Sequence, residues 1–174
     1  MEYYVWNKEF LNVIGRHYET GQRIPEKTIE NLIQSRYAFK AMETQTQVVY
    51  CLFDQIVFGP PESWRGEKST TDVFAALSRE SGLPYVEGTH WHSRFGHLVT
   101  YGAGYYSYLY ASMFSADLWA TCFHGGGDAF SRKAGIRYWK EILVHGGSRD
   151  PNLMLKGMLG REPRVASFFN NLKS

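Results

Sequence analysis

Apolar residues recur at three- and four-residue steps through a long stretch of the chain: Ile29, Leu32, Ile33, Ala38, Val49, Leu52, Phe53 and Ile56. Such spacing lines one side of a helix with 3.6 residues per turn. The pattern ends at "GPPESWRGEKSTTD", where Gly59, Pro60 and Pro61 forbid continuation. A bend is expected in its middle, at the polar "METQTQ". Ahead of it, Tyr4, Phe10, Val13 and Ile14 form a shorter helical stripe that breaks near "ETGQRIPEK", and Pro25 suits the first turn of the next helix.

The rest of the chain reads the same way. Thr71 or Asp72 can cap a short helix through Arg79 that Gly82 closes, and "LPYVEGTHWHSR" reads as loop. A helix is expected from about Gly104 to His124, stopping at "HGGGD"; Asp128 can cap the next, running to Val144. Asp150 followed by Pro151 is a cap and first-turn pair for a helix to Leu159, and Pro163 starts the last one. The expected fold class is all-α, a single helical unit without internal repeats. The N-terminal "MEYYVWNKEF" has neither the layout of a signal peptide nor the arginine richness of a transit peptide. It reads as amphipathic helix with no cap ahead of it, so the chain is expected to start in mid-helix, as a piece of something longer.

With 174 residues the chain is long enough for one domain with its own core. Net charge is +2 with both signs interspersed, so nucleic acid is not expected as a partner. No apolar run reaches the length of a membrane span. Cys51 and Cys122 are the only cysteines, far apart and outside any CxxC, which argues against a disulfide framework.

Tyrosine is abundant, 12 residues, and concentrates in "FGHLVTYGAGYYSYL", residues 95–109. His97, Tyr101, Tyr105 and Tyr108 are spaced by four, four and three residues, which would place them on one face of a continuous helix. Gly102 and Gly104 weaken that continuity, since glycine costs up to about 1 kcal/mol relative to alanine in a helix interior. The economical picture is a flexible loop carrying His97 and Tyr101 that runs into a helix carrying Tyr105 and Tyr108. Phenols stay protonated at neutral pH and can donate to an oxyanion. An aromatic core stripe fits the same pattern equally well.

A second cluster, Glu87, His90 and His92 in "EGTHWH", could offer metal ligands or be a plain loop. His17, His124 and His145 sit at expected helix ends and read as caps. Asp117, in the apolar "SMFSADLWATCF", must be paired if buried, and a structural salt bridge is expected. The runs Gly125–Gly127 and Gly146–Gly147 lack the Lys-Ser/Thr of a phosphate loop. No His-Glu-x-x-His and no Gly-x-Ser-x-Gly occurs.

Taken in order, "RHYETG" (16–21), "FGHLVTYGAGYYSYLYASMFSADLW" (95–119) and "HGGSRDPNLMLKGMLGREP" (145–163) resemble the C-terminal part of the thimet oligopeptidase family of zinc peptidases. The resemblance runs end to end. "TQTQVVYCLFDQIVFG", "STTD" and "GLPYVEGTHWHSRFGHLVTYG" look most like its mitochondrial intermediate peptidase branch. It implies a large two-lobed helical metallopeptidase around a deep channel, with zinc on a His-Glu-x-x-His helix and a further glutamate on the next helix. By this resemblance residues 1–174 are the C-terminal segment of the catalytic domain and lack the zinc-binding helix. The zinc belongs to the full-length enzyme, no metal is expected on this chain, and the isolated chain is expected to be inactive.

The resemblance also implies roles. In the family a glycine-rich loop carries a histidine and tyrosines towards the scissile carbonyl. By motif match His97 and Tyr108 are the catalytic pair that binds substrate and stabilises the oxyanion. Tyr101 matches the mobile-loop tyrosine, although the loop is one residue shorter than in thimet oligopeptidase. Tyr105 matches a supporting tyrosine, and Gly102 and Gly104 a hinge. Expected partners are a peptide or precursor-protein substrate and the N-terminal part of the same enzyme, with self-association of the isolated chain. The branch implies the mitochondrial matrix; otherwise a soluble intracellular location is expected. Against this stand two other readings: a truncated, non-catalytic helical module that binds peptides or a partner protein, and an independent metal site at Glu87, His90 and His92.

Overall fold

The structure is a computed structural model that describes residues 2–64, 66–124 and 129–172, with His124 described in its backbone only. The expected roles of Gly125–Gly127 and of Asp128 therefore lie outside the described residues, as does that of the His124 side chain. The all-helical expectation is met. The α-helices are α1 Lys8–Ile14, α2 Glu26–Ser35, α3 Lys40–Val57, α4 Thr70–Glu80, α5 His97–Thr100, α6 Ser107–Leu118, α7 Arg132–Glu141, α8 Pro151–Leu159 and α9 Ala166–Asn170. No strand occurs among the described residues; one isolated antiparallel bridge joins Arg16 and Arg23. The chain forms two compact units, residues 1–40 with 112–174, and residues 41–111.

In the unit of residues 41–111, the periodic apolar face of α3 delivers Val49 and Phe53 against Val73 and Leu77 of α4. Phe53 is fully buried, and Tyr50, Phe74 and Leu98 close around the cluster. The Ser69 hydroxyl caps α4 by accepting the Asp72 N–H at 3.1 Å, so the helix starts earlier than a Thr71 or Asp72 cap would have it. Gly82, at φ 67°, lets the chain reverse behind it, with Leu83 N–H bonded to Ser78 O at 2.9 Å. The "METQTQ" run does not interrupt α3. The break falls earlier, between α2 and α3, where Phe39 takes φ 64°. The polar residues of that run serve instead as side-chain anchors: Gln45 donates to Ser81 O, and Gln47 accepts from Tyr105.

In the other unit, residues 2–6 form a 3-10 turn and Asn7 accepts the Phe10 N–H at 2.9 Å, which caps α1. The reading of an uncapped start in mid-helix is thereby corrected. Tyr4 meets Trp119 edge-on at 4.9 Å, and Trp119 stacks on Phe123 at 5.9 Å. Met154, Leu155, Met158 and Leu159 of α8 are buried. The Asp150–Pro151 start of α8 is as expected, with the Asp150 carboxylate accepting the Asn152 N–H at 2.8 Å and Gly160 closing the helix at φ 74°.

Two further boundaries differ from expectation. α7 begins at Arg132, capped by the Ser131 hydroxyl, and ends at Glu141, not Val144. The last helix begins at Ala166 rather than at Pro163, and ahead of it the Arg164 N–H is given to the Asp117 carboxylate at 2.8 Å. Asp117 is 1% exposed and receives both terminal nitrogens of Arg161, at 2.7 and 2.8 Å. This is the structural salt bridge that the apolar setting of Asp117 demanded. The Arg161 guanidinium, helped by the Arg164 N–H, holds the Asp117 carboxyl below the usual carboxylate range against the opposing effect of burial.

Candidate functional site

The aromatic segment 95–109 is built entirely within the unit of residues 41–111. It is neither one helix nor a free loop. His97 opens the single-turn α5, residues 101–106 make a turn, and α6 begins only at Ser107. The expected start near Gly104 gives way to this turn, in which the Tyr105 N–H bonds to the Asp54 carboxylate at 3.0 Å and the Gly104 N–H to Tyr101 O at 3.0 Å.

That arrangement gathers the expected residues around one imidazole. His97 Nε2 lies 2.8 Å from Tyr108 Oη, within hydrogen-bond reach. The His97 ring centroid is 5.3 Å from Tyr105, 5.5 Å from Tyr108 and 5.8 Å from Tyr101. Exposure separates them. Tyr105 is buried, donates its O–H to Gln47 Oε1 at 2.7 Å, and has its phenol pushed above the ordinary range, chiefly by burial. Tyr101 and Tyr108 are exposed, at 63% and 50%. Tyr105 is turned inward to Gln47, whereas the exposed Tyr101 and Tyr108 can also meet another molecule.

Neither Gly102 nor Gly104 takes a left-handed backbone. The left-handed residue of the turn is Ala103, at φ 61°. Gly102 lies under the Phe58 ring: a Cβ built there would come within 2.5 Å of Phe58 Cζ. Its lack of a side chain admits that close approach.

Three residues of α3 that hold the turn were not singled out from sequence: Gln47, Asp54 and Gln55. The available signal was Asp54 itself, an acidic residue four positions after Tyr50 and three before Val57, both of which pack on the α3–α4 core.

The second cluster is divided among protein partners. Glu87 pairs with Arg79, His90 Nδ1 lies 3.0 Å from Thr71 Oγ1, and His92 Nε2 lies 3.0 Å from Thr70 Oγ1. Among the described residues no group of three His, Cys, Asp or Glu could hold a metal ion. The independent metal site at Glu87, His90 and His92 is therefore not formed. His17 lies in the turn after α1, where Nδ1 accepts from the Glu19 and Thr20 N–H groups at 3.3 Å, and His145 Nε2 faces Arg149 at 3.1 Å. Cys51 and Cys122 are free thiols, both pushed up mainly by burial.

His92 carries a pH consequence. Its Nδ1 is buried and meets no hydrogen-bond partner among the described residues. Burial first, then neighbouring His90, draw its pKa below the ordinary histidine value. Above about pH 6.5 the imidazole is neutral in folded and unfolded chains alike and has no effect. As the pH falls below that, the unfolded chain binds the proton more readily, and stability drops until the folded-state pKa is passed. His92→Gln is expected to flatten the melting temperature against pH between about pH 6.5 and 5. A slope identical to that of the unaltered chain would exclude His92 as its source.

The sequence model of Peptidase family M3 matches residues 1–174. Human mitochondrial intermediate peptidase is 42% identical over 175 residues, covering 100% of this chain and 24% of that protein. The Arabidopsis thaliana mitochondrial intermediate peptidase is 42% identical over 163 residues, covering 92% of this chain and 22% of its own length. Saccharolysin of Saccharomyces cerevisiae is 35% identical over 176 residues, 99% of this chain and 24% of its own. The chain thus spans about a quarter of the length of the relatives it matches. Among the described residues no helix is long and apolar enough to cross a membrane. With a family match over its whole length, the chain belongs to peptidase family M3.

Proposed function

We propose that this chain supplies the substrate-facing wall of an M3 metallopeptidase, and that His97 and Tyr108 act on the scissile peptide carbonyl. The observation that carries this reading is the 2.8 Å approach of His97 Nε2 to a half-exposed Tyr108 hydroxyl, with Tyr101 and Tyr105 around the same ring. A phenol that donates to the carbonyl oxygen stabilises it most as negative charge gathers there. For Tyr108 to donate outward, His97 must carry its proton on Nε2 and donate to Tyr108 Oη. Tyr101 is the exposed phenol suited to contact bound peptide, and Tyr105 supports the histidine from its buried side.

The family implies zinc in the full-length enzyme, and the described residues do not fit a zinc site. His97 stands among phenols rather than other ligands. The zinc would be held by residues other than these, and no role assigned here depends on its position. Peptides are the proposed substrate class. The mitochondrial matrix is the proposed location, supported by the names of the relatives at 42% identity.

The test is kinetic: Tyr108→Phe in a full-length M3 peptidase carrying these residues, with kcat and KM measured on a peptide. A fall in kcat supports the reading. Unchanged kcat would remove Tyr108 from the chemistry, and peptide binding without hydrolysis by the natural full-length product would favour the non-catalytic peptide-binding module instead.

A further inference from the structure

One buried carboxylate holds the turn on which the tyrosines sit. Asp54 is 1% exposed, directly after the fully buried Phe53 on α3. Its Oδ1 accepts the Ala103 N–H and its Oδ2 the Tyr105 N–H, each at 3.0 Å. Gln55 Nε2, from the next residue of α3, donates to Ala103 O at 2.8 Å. Both backbone polar groups of Ala103 are thus engaged by α3 side chains, in the one residue of the turn with a left-handed backbone. Residues with a Cβ rarely adopt that conformation unless their surroundings impose it.

A carboxylate is a costly way to fill a core position, since burying charge is unfavourable unless hydrogen bonds compensate. No cation among the described residues pairs with Asp54, and its bonds go to two amides of the same turn. An aliphatic residue would fill that position at no such cost and would release the turn.

We propose that Asp54 is the positioning residue of this site: it fixes residues 101–106 in the conformation that sets Tyr105 and Tyr108 against His97. The inference rests on the reading of His97 and Tyr108 given above. Asp54 itself meets no reacting atom and acts through the backbone of Ala103 and Tyr105. Any movement of the turn must free two N–H groups from one buried carboxylate together, which makes the turn a clamped element rather than a loose loop.

Asp54→Asn preserves the shape but presents one oxygen and one NH2 group, so one of the two amides must face a donor. Hydrogen exchange followed by NMR on this chain is expected to show the Ala103 and Tyr105 amides exchanging about tenfold faster or more, with α4 unchanged. In a full-length M3 peptidase carrying these residues, the same substitution is expected to lower kcat about tenfold with KM moving less than about twofold. Adding Ala103→Gly, which accepts positive φ without strain, is expected to recover part of that kcat.

Unchanged exchange at both amides, or protection lost equally across α4, would overturn the clamp. So would a double variant no more active than Asp54→Asn. Loss of kcat in Tyr108→Phe with full kcat in Asp54→Asn overturns this proposal alone. Full kcat in both variants overturns the catalytic reading of the wall, and the positioning role with it.

Discussion

Tyr108→Phe is expected to lower kcat by about 10²–10³ in a full-length M3 peptidase carrying these residues, with KM changing far less. The size follows from when the hydrogen bond forms. A neutral peptide carbonyl is a modest acceptor, and the same oxygen bearing developing charge is a strong one. The lost donor is therefore missed chiefly in the transition state, which appears in kcat. Phenylalanine keeps the ring and with it the contacts at 5.5 Å to His97 and 5.1 Å to Tyr105, so the wall should keep its shape. A variant with kcat intact would remove Tyr108 from the chemistry. One in which KM rises while kcat holds would assign it to ground-state binding.

Arg161→Ala is the largest expected effect on stability. Asp117 is almost fully buried, and the guanidinium binds both of its oxygens. Without Arg161 the carboxylate keeps, among the described residues, the Arg164 N–H at 2.8 Å and the longer Thr121 and Ser167 hydroxyl contacts at 3.4 Å. Removing one partner of a buried pair costs about 3–5 kcal/mol, and the lower end applies because the Arg161 side chain is 28% exposed. In a chain of this length about 3 kcal/mol corresponds to a melting temperature lower by roughly 6–12 °C.

The pH dependence gives a second check on the same pair. The Asp117 carboxyl lies below its ordinary range, so its stabilisation is fully present above about pH 4 and is lost as the pH falls through the folded-state pKa. In Arg161→Ala the carboxyl is no longer held down and protonates sooner, which relieves the buried charge. The gap between the two proteins should narrow on acidification. A gap that stays constant would show that packing of the arginine stem, and not the ion pair, supplies the stability.

The helical fold was legible in the residues because its signals are local. Ile29, Val49 and Phe53 stand at helical spacing and are among the most buried side chains. Asp150–Pro151 and Gly160 mark the ends of α8 by preferences of single residues. An Asp inside an apolar run announced a buried pair, though not that Arg161 would be its partner. Misplaced starts at α4 and α7 turned on which nearby serine takes the cap, Ser69 and Ser131, whereas ahead of α9 and α6 a side chain distant in sequence, Asp117 or Asp54, accepts a backbone N–H.

The sequence by itself determined the helical class, the chemistry on offer between Phe95 and Leu109, and membership of a family whose motifs it carries in order. Periodicity, caps and motif order are properties of neighbours along the chain, and they survive without a fold. Only the tertiary structure decided which phenol is buried and which exposed, that Ala103 and not a glycine takes the left-handed turn, and that Asp54 holds that turn across 49 and 51 residues of chain. Those outcomes are contacts between separated segments. Each depends on where α3 lies when the turn forms, which no local preference of residues 101–106 encodes.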